Sequence, residues 1–178
     1  MKLTTRFITL SALIAAAYVV LTTLLAPISF GVLQVRVAEC MSVLCVFGPI
    51  PLCGLTAGCA ISNAIGVATG QNLAGVLDIL IGTSATLIAG ILSYLLRNIT
   101  LKGLPLLSVL PPILINAVVI GIELTVVLYP GEFSPWLFAL NMLTIAGEQT
   151  IACAGLGIPF YLLVKKARLD RYFSYQRL

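Results

Sequence analysis

Four carboxylates interrupt otherwise apolar stretches of this 178-residue chain: Glu39, Asp78, Glu123 and Glu148. One cation, Arg36, stands among them, with Gln34 beside it. A charged side chain in or near hydrocarbon is costly, so it usually faces a cavity or a partner. An ionised carboxylate only accepts hydrogen bonds, and it can take two parallel N–H bonds from an amidine-like edge. A pocket built from these acids therefore suits a small ligand rich in donors, including a cationic one. Gln34, Asn63 and Asn141 would serve its remaining polar atoms. Arg36 and Glu39 are three apart, so on a helix they share a face and can pair. The plainer alternative is that each polar group is helix–helix glue, and that Arg36 snorkels to lipid headgroups. Convergence of several acids at one depth favours the cavity.

Other chemistries find little support. The chain has no histidine, which removes the usual general base and the commonest metal ligand. No serine–base pairing suggests hydrolysis, so no catalytic residue is assigned. The five cysteines are an odd count without a CxxC, which argues against a disulfide framework and a zinc site. No metal and no cofactor is expected. No phosphate-binding GxxxxGK[ST] loop is present.

The elements that must position these groups are membrane spans. The chain is 60% hydrophobic and 9% charged, with a mean hydropathy of +1.13. That is outside the range of soluble domains. The fold class read from it is all-α: one polytopic domain over residues 1–178 with six transmembrane helices. The expected spans are Phe7 to Ile28, Val35 to Phe47, Leu52 to Thr69, Leu73 to Leu96, a fifth helix started by Pro111 and Pro112 and running to about Tyr129, and Trp136 to Val164. The second covers only roughly 20 Å at about 1.5 Å per residue, so it is a short span or a re-entrant segment, closed by Gly48-Pro49-Ile50-Pro51. The net charge of +4 is no sign of nucleic-acid binding. The basic residues gather at the N-terminus, around Arg97 to Gly103 and in the tail from Lys165, which places all three in the cytoplasm of a plasma-membrane protein. Six crossings satisfy this. Polar groups from five helices then fall in the outer half of the membrane, with Asn116 and Glu123, and Asn141 and Glu148, each seven apart on one helical face. Of the acids, Glu123 and Glu148 are expected to matter most to binding and Glu132, in an outer loop, least. Phe30, Tyr129, Phe133 and Trp136 could stack on a flat ring or anchor at the interface. On the first helix, Ser11, Ala12, Ala15 and Ala16 form a small-residue stripe that lets another helix approach closely, within the chain or from another subunit.

The pattern FGVLQVRVAE (Phe30 to Glu39), the GPIP break and GLTAGCAISNAIG (Gly54 to Gly66) resemble the queuosine-precursor transporter family. These are substrate-binding S-components of energy-coupling factor (ECF) transporters. The resemblance spans nearly the whole chain. It implies an S-component-like bundle, a deazaguanine-type base such as an aminomethyl-deazaguanine or queuine as ligand, and a module of one transmembrane coupling protein and two ATPases. By that resemblance the Ala12 and Ala16 face would be the docking surface. The alternatives are an S-component for another nutrient and a stand-alone cation-coupled carrier using Glu123 and Glu148. The topology is open to direct test. In a cysteine-free background, single cysteines at Lys102 and in the C-terminal tail should label only from the cytoplasmic side. Labelling of either from outside overturns the six-span arrangement.

Overall fold

The computed structural model describes residues 4–31, 34–131 and 134–173. Helix α1 spans Thr5–Leu24, opened by the Thr4 hydroxyl, which accepts from the Phe7 N–H. A four-residue turn, α2 (Ala26–Ser29), lies in the following connection. Next comes a 3₁₀ helix, Val37–Phe47, and then α3 (Pro49–Ala68), α4 (Val76–Leu95) and α5 (Leu106–Leu128). The last long element, Pro135–Lys166, consists of α6 (Pro135–Gln149), a π-helical stretch Thr150–Leu156, and α7 (Gly157–Lys166). A short α8, Asp170–Phe173, ends the described chain. Five of these elements are long and apolar enough to cross a bilayer, and Val37–Phe47 is a shorter sixth. The protein is an all-α polytopic membrane protein.

Val37–Phe47 forms the central post of the bundle. Residues 38 to 46 are all buried. At about 2.0 Å per residue, eleven residues of 3₁₀ helix reach about 22 Å, whereas the same residues as α-helix would reach about 16 Å. The tighter winding lets a short segment make a full pass. Its far end stacks Phe47 on Tyr161 at 5.4 Å and packs it against Phe173 at 6.2 Å. At the same end Arg6 donates to the carbonyls of Arg171 and Tyr172 at 3.2 and 3.1 Å. Arg97, Lys165 and Arg171 share one surface pocket there. The N-terminal helix, the basic loop and the tail therefore sit at one end of the bundle, and the chain reaches that arrangement in six passes.

Helices α1 and α3 cross closely because glycines of α3 face backbone and Cβ atoms of α1. A Cβ at Gly54 would come within 2.7 Å of the Ser11 carbonyl oxygen, and one at Gly58 within 2.8 Å of the Tyr18 Cβ. Half of the small-residue stripe is thus internal packing: Ala15 is buried, and the Ser11 hydroxyl donates to the Ile50 carbonyl at 3.0 Å. Ala12 and Ala16 stay exposed.

Two proline readings need correction. The GPIP sequence breaks the chain only at Gly48, whose φ of 143° is open to glycine, and Pro49 starts α3 in the first turn, where its missing N–H costs nothing. Pro111 and Pro112 do not start the fifth helix. They lie inside α5, which begins at Leu106. Pro112 cannot donate to the carbonyl four residues back, that of Ser108. The Ser93 hydroxyl of α4 donates to it instead, at 2.7 Å. A neighbouring helix restores the lost bond, which is how membrane helices tolerate internal proline. Ser93→Ala should therefore lower stability by about 1–3 kcal/mol, the penalty for a buried acceptor left unpaired. Unfolding in detergent should show that cost shrinking when Pro112→Ala returns the backbone donor.

Candidate ligand site

The site starts where the chain enters the 3₁₀ helix. Arg36 caps that helix in extended geometry, φ −78° and ψ 92°, so it is not on a helical face with Glu39. The expected Arg36–Glu39 pair does not form. The guanidinium instead meets Asp78 of α4 at 2.6 Å, donates from Nε to the Ser29 carbonyl at 3.2 Å, and lies 5.5 Å from the Phe30 ring centroid. Asp78 Oδ2 also accepts from Asn72 at 2.9 Å, and the Asn63 amide donates to the Asp78 carbonyl at 2.8 Å. Gly82 stands one turn on, where any Cβ would collide with Asp78 Oδ1. The pair is nearly sealed from solvent, with Arg36 6% and Asp78 1% exposed.

Glu39 lies in the first turn of the 3₁₀ helix, 3% exposed. The Tyr18 hydroxyl of α1 donates to its Oε1 at 2.5 Å. Its backbone carbonyl faces the Cys153 thiol at 3.6 Å. Glu39 lines a small enclosed cavity together with Gln34 and Arg36, with Gly82 and Thr86 of α4, Asn116 and Ile120 of α5, and Ile145 and Gln149 of α6. Arg36 is already matched by Asp78, so Glu39 is the cavity-lining carboxylate without a cationic partner among the described residues. The cavity measures about 10 Å³, room for about one water. A ring-sized ligand enters only if these walls separate.

The remaining sequence-selected residues lie off this cavity. Asn63 and Asp78 stand behind it, the Asn63 amide donating to the Asp78 carbonyl and the Asp78 carboxylate accepting from Arg36. Glu148 Oε2 accepts from the Gln34 backbone N–H at 3.1 Å, while its Oε1 is buried without a partner among the described residues. Glu123 borders an apolar crevice of about 250 Å³ between α4 and α5, both oxygens buried and unpaired there. Asn141 donates to the Thr125 hydroxyl at 2.9 Å, joining α6 to α5. Phe30 is buried under Arg36, whereas Tyr129 and Trp136 are exposed; Glu132 and Phe133 lie outside the described residues. Thr86 escaped the reading because threonine commonly bonds its own helix, as Thr86 does to Gly82. Gln149 had one available signal, its place next to Glu148. On the outer flank, Ala12, Ala16, Val19, Cys53, Ala57 and Ile61 line an apolar groove of about 610 Å³ between α1 and α3.

The QueT transporter family profile matches residues 8–166. The chain belongs to that family. It is a membrane transporter of queuosine precursors, in keeping with the resemblance carried by FGVLQVRVAE and GLTAGCAISNAIG. No curated protein and no solved structure matches it.

For this QueT-family chain the Arg36–Asp78 pair makes a quantitative demand. Removing one partner of a buried pair strands the other charge, at about 3–5 kcal/mol. Asp78→Asn and Arg36→Met should each lower thermal stability in detergent by an amount in that range. Combining them should cost clearly less than the sum, because neither charge is then left alone.

Proposed function

We propose that this chain is the substrate-binding subunit of an ECF-type ATP-driven importer, and that it captures a 7-deazaguanine-type queuosine precursor in the cavity around Glu39. The observation that carries this reading is the composition of that cavity. It joins one uncompensated carboxylate to neutral amides at Gln34, Asn116 and Gln149, a hydroxyl at Thr86, and apolar wall at Ile120 and Ile145. A deazaguanine has a donor-rich edge for the carboxylate, a carbonyl for the amide and hydroxyl donors, and a flat apolar face for the isoleucines. The cavity lies at the end of the bundle opposite the basic loop and tail. With those basic regions cytoplasmic, it belongs to the outer half of the membrane.

The chain carries no nucleotide-binding loop, so energy comes either from a partner or from ion coupling through its carboxylates, and we favour the partner. The apolar groove with Ala12 and Ala16 on its floor suits a helix of the transmembrane coupling protein, which in turn binds two ATPases. Exposed small residues allow the close approach that such packing needs. The stand-alone cation-coupled carrier is the competing reading, and the buried, unpaired Glu123 is the observation in its favour.

Two measurements on the full chain decide between them. Mass spectrometry of ligand released from the purified protein should identify a deazapurine base. Ala12→Trp and Ala16→Trp should abolish uptake and co-purification with the ATPases while leaving ligand binding within about twofold of wild type. Uptake that survives both substitutions, and proceeds under a proton gradient without any ATPase, overturns the ECF assignment.

A further inference from the structure

The charges around the cavity are not equivalent, and their partners rank them. Asp78 stands behind the cavity wall, its Oδ2 committed to Arg36 and Asn72 and its Oδ1 buried without a partner among the described residues, and Arg36 is committed to Asp78 and the Ser29 carbonyl. Glu148 has one oxygen on the Gln34 backbone. Glu123 lies on the far crevice. Among the described residues, Glu39 alone combines a place on the cavity wall with a single, neutral side-chain partner, Tyr18. A carboxylate offers about four lone-pair directions over two oxygens. One bond from a tyrosine leaves enough for a bidentate contact.

Resting on the deazaguanine reading above, we propose that Glu39 is the residue that selects the base by its adjacent ring and exocyclic N–H donors. Tyr18 is its positioning residue. Tyr18 is fully buried, and its Cβ abuts Gly58, so α3 fixes where the ring stands. From there its hydroxyl holds Oε1 at 2.5 Å and sets the plane of the carboxylate. A fixed plane presents both oxygens to a two-donor edge at once, and that geometry separates guanine-type from hypoxanthine-type rings. A ring lacking the exocyclic amine leaves one oxygen of a buried carboxylate unmatched, and sites built around a hydrogen bond reject such analogues strongly.

The test is isothermal titration of the full-length protein in detergent with 7-aminomethyl-7-deazaguanine and with its analogue lacking the 2-amino group. Wild type should prefer the amine-bearing ligand by roughly 30-fold or more, the range for losing one partner of a buried charge-assisted bond. Glu39→Gln should bring that preference below about threefold. Tyr18→Phe, which keeps the ring and its packing, should narrow the preference by about threefold or more and add nothing further in the Glu39→Gln background. If Glu39→Gln fails to fold, Tyr18→Phe carries the test alone through the same ratio. An unchanged preference in either folded variant, or strictly additive losses, overturns this assignment while leaving the transported class intact. Failure of wild type to bind the deazaguanine overturns the functional reading and this inference together.

Discussion

The ion pair between Arg36 and Asp78 is the constraint around which the rest of the site is arranged. At 2.6 Å and almost out of contact with solvent, it joins the entrance of the central 3₁₀ helix to α4. Two charges withdrawn from water repay their desolvation only when further hydrogen bonds complete their shells. Ser29 and the Phe30 ring supply part of that shell around Arg36, and Asn72 part of it at Asp78 Oδ2, while Asp78 Oδ1 is buried without a hydrogen-bond partner among the described residues; Asn63 ties the Asp78 backbone to α3. Gly82 follows as a steric consequence, since Asp78 occupies the space of its missing side chain. The pair also determines the charge of the cavity. By engaging Arg36 it leaves Glu39 as the wall carboxyl without an ion-pair partner among the described residues.

A second constraint is length. An eleven-residue segment can cross the bundle only by stretching, and 3₁₀ winding supplies about 0.5 Å more rise per residue than α. The cost is poorer hydrogen-bond geometry, so the segment depends on tertiary packing. Its nine consecutive buried residues, 38 to 46, supply that. Three-residue periodicity aligns Glu39, Ser42 and Cys45 along one row. Along it Glu39 meets Tyr18, Ser42 meets Cys153 at 3.5 Å, and Cys45 faces Gly90.

Much of the fold was legible from apolar run lengths and the distribution of Lys and Arg, because the bilayer imposes both. The site was legible only in part. Gln34, Arg36, Glu39 and Asn116 could be found because polar groups are rare in this chain and each of these turns inward. Reading depth alone could not separate Glu39 from Glu123. Both are buried, but helix rotation sends one to the cavity and the other to the α4–α5 crevice. Assuming α-helical spacing through Arg36 gave it the wrong partner, since that residue precedes the helix. Proline rules read locally misplaced the start of α5, because the compensation at Ser108 comes from Ser93 on another helix.

The cavity consequently has one stiff wall and one softer wall. On the α4 side, an ion pair and two amide bonds converge on Asp78, and opening there would strand a charge at about 3–5 kcal/mol. On the α6 side, among the described residues, the Gln34 backbone N–H donates to Glu148 and the Cys153 thiol faces the Glu39 carbonyl at 3.6 Å, beside the apolar Ile120 and Ile145. A single bond to a charged acceptor contributes about 1.5–3 kcal/mol. The π-helical stretch begins at Thr150, directly after Gln149, so the helix on that side is already wound away from ideal α geometry next to the cavity. One charge-assisted bond to a ligand, at about 1.5–3 kcal/mol, matches the softer contact and falls short of the stiffer one. The difference follows from partner counts among the described residues: Asp78 holds the ion pair and two amide bonds, whereas Glu148 holds one backbone N–H.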